Sequence, residues 1–179
     1  MESMDKNPVT RTFRIENEYD IVLREEANNR GISVNNLANH ILKEFIATGR
    51  FSERGQNITF ATQSFENFLN CLDDQELIDS GQDSGSKNPH DRLLMRGMSI
   101  DRVSLLWYLK EILGGYNDWF ICDMHERKEY TLIHLRHSYN RKWSLFLENY
   151  LKGMFSRLLD INDIQVDITN KTVSLQLPK

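Results

Sequence analysis

Residues 10–46, TRTFRIENEYDIVLREEANNRGISVNNLANHILKEFI, hold one short strand pattern followed by two helical patterns. Thr10 to Glu16 alternates with period two, so Arg11, Phe13 and Ile15 share one face while Thr10, Thr12 and Arg14 share the other. Phe13 and Ile15 mark the side expected to be buried. Asn17 is the expected N-cap of the first helix, with Asp20 three residues on in a weak capping-box arrangement. Tyr19, Val22, Leu23 and Ala27 then follow helical spacing, and Gly31 ends that helix in the C′ role. Ser33 caps the next helix, whose apolar stripe is Val34, Leu37, Ala38, Ile41, Leu42 and Phe45, and Gly49 closes it. A segment of about 45 residues with one short strand cannot bury its own apolar faces. The expected cover is a second copy, with the strands pairing antiparallel across a twofold axis. Its dimer core would be Phe13, Ile15, Leu23, Leu37, Ile41 and Phe45.

Outward from this segment, residues 1–9 are expected to form a disordered tail and residues 50–56, RFSERGQ, a polar linker. Residues 57–179 then read as a second, α+β domain. A short strand is expected over Asn57 to Phe60, followed by a helix capped by Ser64 that carries Phe65, Phe68, Leu69 and Leu72. The stretch 79–89, DSGQDSGSKNP, is rich in Ser, Gly and Asp and is expected to be a mobile loop. Ser99 is the expected cap of a helix with Val103, Leu106, Trp107 and Leu109, stopped by Gly114-Gly115. Trp119 to His125 and Tyr130 to Arg136 read as a hairpin with a tight turn near Arg127-Lys128. Arg141 to Leu159 is a strong amphipathic helix, and Ile164 to Thr169 with Thr172 to Leu177 form a second hairpin around Asn170-Lys171. Its Ile, Val and Leu residues fall on one side only. One-sided hairpins flanking a helix imply an antiparallel sheet packed under that helix.

Composition bounds the function. The chain has 179 residues, 40% hydrophobic and 27% charged, which suits a small module followed by a compact domain. Apolar runs such as Leu105-Leu106-Trp107-Tyr108-Leu109 are far too short to span a bilayer, so no membrane partner is expected. The start, MESMDKNPVT, lacks the apolar core of a secretory signal. Cys71 and Cys122 stand apart without a CxxC pattern, so no disulfide framework is indicated and a cytoplasmic protein is expected. Net charge is −4. Within residues 10–55 seven Arg/Lys meet seven Asp/Glu, so attraction to a polyanion would rest on local placement rather than on the sum. Arg11 and Arg14 lie on the strand, whereas most of the acids lie on the first helix.

The TxFRI strand, the Gly31-Ile32-Ser33 junction and the Leu37/Ile41/Phe45 stripe together resemble the ribbon-helix-helix family of DNA-binding proteins over residues 10–49. The resemblance implies an obligate homodimer, a two-stranded ribbon and a double-stranded DNA partner with a palindromic operator. It also implies that Thr10, Thr12 and Arg14 read base edges in the major groove. The chemistry suits that role, because Arg donates two bonds to guanine and Thr offers a hydroxyl and a methyl. The start of the second helix, Ser33, Val34 and Asn35, would hold a phosphate with its free backbone N–H groups. Two departures stand out: Asn17-Glu18 occupies the place where Pro or Ser usually opens the first helix, and Glu16 sets a negative charge beside the reading strand. The family commonly appends a domain that senses a small-molecule ligand or sets the oligomeric state. Two other readings stay open. One is an antitoxin bound to a partner toxin; the other is a ligand-binding or enzymatic domain that uses the N-terminal segment only to dimerise.

In the second domain Cys122, His125, His134 and His137 form a conspicuous group, similar in inventory to the ligands of nickel-responsive members of that family. With a two-residue turn at Arg127-Lys128, Cys122 faces the apolar side, and His125 and His134 share the other side four rungs apart, about 13 Å. That separation is too long for two ligands of one metal, so no metal and no cofactor is expected unless several copies combine. Trp143, Phe146, Tyr150, Met154 and Phe155 form a stripe that reads as core, with an aromatic-ligand pocket as its alternative. Arg141 and Lys142, beside a helix start, read as solvated, with an anion site as the alternative. The chain contains no GxSxG, P-loop, HExxH or GxGxxG, and no enzymatic activity is expected.

Overall fold

The computed structural model describes residues 9–51 and 59–179. The expected tail at 1–9 and linker at 50–56 lie mostly outside these residues, as do Asn57 and Ile58 of the expected short strand. Thr59 and Phe60 have no regular structure, and Arg50 and Phe51 continue a helix. The chain divides into two compact units, residues 1–56 and 57–179.

In the first unit α1 spans Asn17–Asn29 and α2 spans Val34–Glu44, continued by π-helical turns over Phe45–Gly49. Glu16 rather than Asn17 is the N-cap of α1, and no side chain caps it. The end of α1 follows the sequence expectation. Gly31 takes φ +64°, its N–H bonds to the Asn28 carbonyl, and the Ile32 N–H bonds to the Ala27 carbonyl, both at 3.0 Å. This six-to-one, five-to-two pair satisfies carbonyls that the helix leaves open. Residues 9–16 form no strand in the single chain.

The second unit is mixed helix and sheet. Helix α3 spans Thr62–Cys71, α4 Asp74–Leu94, α5 Arg102–Trp107 with π-helical turns over Tyr108–Tyr116, and α6 Arg141–Leu159. Strands β1 (Ile121–Glu126), β2 (Tyr130–Arg136), β3 (Gln165–Ile168) and β4 (Thr172–Pro178) form an antiparallel sheet in the order β1-β2-β4-β3. Ile133, Leu135, Val173, Leu175 and Leu177 are buried on one sheet face, and α6 packs over β3 and β4 with Leu147, Leu151, Met154 and Phe155 fully buried. Among the described residues no helix is long and apolar enough to cross a membrane.

The largest correction concerns residues 79–89, expected as a mobile loop. They form the middle of α4, the helix most extensively packed against α6. Two features produce the helix. Asp73 and Glu76 form a capping box: the Asp73 carboxylate accepts from the Glu76 N–H and the Glu76 carboxylate from the Asp73 N–H, both at 2.8 Å. Leu77, Gly81, Gly85, Pro89 and Leu93 then recur every fourth residue and are buried. The glycines let two backbones meet. A Cβ on Gly81 would stand 2.7 Å from the Phe146 carbonyl oxygen, and one on Gly153 of α6 would stand 2.5 Å from the Gln82 oxygen. A Cβ on Gly85 would collide with the Tyr150 carbonyl, the tightest of these approaches.

Smaller differences are local. Ala61 rather than Ser64 precedes α3, and Asp101 rather than Ser99 caps α5 through the Ser104 N–H at 2.8 Å. Gly114-Gly115 do not stop that helix, which runs on to Tyr116. Lys142 is not a free anion receptor. Its ammonium bonds the carbonyls of Asn70 and Leu72 and so closes the C-terminal end of α3.

Gly85→Ala is expected to lower stability by about 1–3 kcal/mol through overpacking, against a helix-propensity gain of about 1 kcal/mol. Asn88→Ala, on the exposed side of α4, is expected to be neutral or slightly stabilising. Chemical denaturation of both variants measures the difference.

Candidate nucleic-acid interface

The candidate interface is the extended segment 9–16 and the start of α2. Thr10, Thr12 and Arg14 are all exposed. So are the residues expected on the opposite face, with Phe13 69% and Ile15 52% accessible. Charge is distributed unevenly. On α1, Arg24 pairs with Asp20 at 2.6 Å and Arg30 with Glu26 at 2.5 Å, so that helix neutralises its own cations. Among the described residues Arg11 and Arg14 carry no ion pair.

At the α2 start Ser33 is the N-cap, as the sequence implies. Its hydroxyl oxygen accepts from the Asn36 N–H at 3.1 Å, and its carbonyl accepts from the Leu37 N–H at 3.0 Å. The N–H groups of Val34 and Asn35 have no protein partner among the described residues. They are the donors that a phosphate or water takes at a helix N-terminus. Of the expected dimer-core residues, Leu37 is buried and Leu23 half-buried within the single chain, while Ile41 and Phe45 stay about half exposed. Tyr19, Ile21, Val22, Leu42 and Ile46 are exposed beside them in the same unit.

The second unit separates the Cys/His group differently from the expected register. Asp123 pairs with His134 and His125 with Leu132, and the Arg127 N–H bonds the Tyr130 carbonyl at 2.9 Å. The turn is therefore Lys128-Glu129, one residue later than expected. His125 and His134 do share a face opposite Cys122, but two rungs apart rather than four. His134 Nδ1 lies 2.8 Å from Ser174 Oγ, and His125 is exposed. Cys122 stands opposite Leu135, and burial pushes its thiol up to about 12. His137 is buried, with Nε2 2.8 Å from Ser144 Oγ. Among the described residues no three His, Cys, Asp or Glu side chains are placed to hold a metal ion.

The aromatic stripe of α6 is filled by its own neighbours. Trp143 stacks on Phe146 at 4.9 Å, and Trp119 meets Trp143 edge-on at 5.2 Å and Tyr150 at 5.5 Å. Phe65 and Tyr139 close the cluster against Trp143. An open polar groove of about 940 Å³ runs between α4 and α6, with Asp79, Asp83, Lys152, Arg157 and Asp160 on its walls.

Burial lowers the His137 imidazole from 6.5 to about 4; the Tyr139 backbone opposes the shift and the Lys171 charge adds to it. The unfolded chain takes a proton near 6.5, whereas the folded one refuses it until about 4. This contribution is therefore fully present above the unfolded value and is lost as pH falls toward the folded one. Urea melts at pH 7.5, 5.5 and 4.5 should show a loss of about 2 kcal/mol that is absent in His137→Gln.

Compared with known proteins, the chain matches no family model, no curated sequence and no solved structure.

Proposed function

We propose that the chain is a homodimeric, sequence-specific transcriptional regulator that binds double-stranded DNA. Two copies pair Thr10 to Glu16 into an antiparallel ribbon that enters the major groove of a palindromic operator. One observation carries this reading. Phe13, Ile15, Ile41 and Phe45 remain accessible in a unit whose extended segment also bears Arg11 and Arg14, which carry no ion pair among the described residues. A small unit that leaves so much apolar surface open needs cover, and a second copy supplies the same residues across a twofold axis.

With the ribbon formed, Phe13 and Ile15 turn inward, and Thr10, Thr12 and Arg14 turn outward by the alternation of a strand. Arg14 then donates to a guanine edge, and the threonines contact neighbouring bases. The Val34 and Asn35 N–H groups, with Ser33 fixing the helix start, hold a backbone phosphate beside the ribbon. The acids of α1 keep non-specific affinity low, and the salt dependence of binding follows the number of phosphates that the cations neutralise. The second unit carries the sensing or assembly role.

Selection of bound fragments from a random DNA pool tests the class, with a palindromic consensus as the expected result. Arg14→Ala is expected to weaken binding to that consensus by about 1–3 kcal/mol and to relax preference at one base pair, with the dimer unchanged. Mobility-shift titrations alongside sedimentation measure both. An intact dimer that binds no DNA at low salt would falsify the reading.

A further inference from the structure

We draw no further inference here: the strongest candidate, the open groove between α4 and α6 with Asp79, Asp83, Lys152, Arg157 and Asp160 on its walls, carries nothing, because Lys87 and Glu148 already pair with Asp83 and Lys152 and no second observation in the structure points to a ligand for the exposed charges that remain.

Discussion

The second unit depends on two helices approaching until their main chains touch. Gly81 and Gly85 of α4 and Gly153 of α6 leave out the side chains that would hold the axes apart, so the carbonyls of Phe146, Tyr150 and Gln82 occupy the space where Cβ atoms would stand. Ordinary helix pairs are held 8–10 Å apart by interleaved side chains. Here contact replaces interleaving, and Leu77 and Leu93 anchor the buried face of α4 in its outer turns. The close seam lets α6 turn its Leu147, Leu151 and Met154 to the sheet and its Trp143 and Tyr150 rings to Trp119 without a gap.

The same seam explains where the sequence was opaque. Glycine, serine and aspartate are poor helix formers one by one, and DSGQDSGSKNP reads locally as a loop. Its helical information is long-range, carried by residues every fourth position that are small rather than apolar. Asp73-x-x-Glu76 is the one local start signal for this helix, a capping box just ahead of the small-residue stripe. Where the pattern is apolar the reading held: α6 begins at Arg141 and ends at Leu159 as its stripe requires, and β2 runs from Tyr130 to Arg136. The β1–β2 turn moved by one residue, since Arg127, Lys128 and Glu129 contain neither Gly nor Asn to pin a tight turn. That small shift halved the spacing between His125 and His134 while leaving their shared face intact.

The N-terminal unit shows a different limit. Gly31 and Ser33 do what their positions dictate, because helix ends are decided by the nearest few residues. Thr10 to Glu16 shows strand alternation but no strand in a single chain, because a ladder needs a second row of peptide groups. Its side chains were identifiable from the sequence as one set, Thr10, Thr12 and Arg14 against Phe13 and Ile15. That Arg11 and Arg14 carry no ion pair among the described residues is not visible in residue counts, where acids and bases balance. It emerges only once Arg24 and Arg30 are seen to be occupied along α1.

The aromatic cluster at the α3–α6 corner has an optical consequence. All three tryptophans of the chain lie in the second unit, and Trp119 and Trp143 sit ring against ring. Excitation of the indoles therefore samples that unit alone, with emission from the coupled pair responding to any loosening of α6. A change confined to the first unit is not reported by tryptophan emission unless an indole is introduced there, for example by Tyr19→Trp.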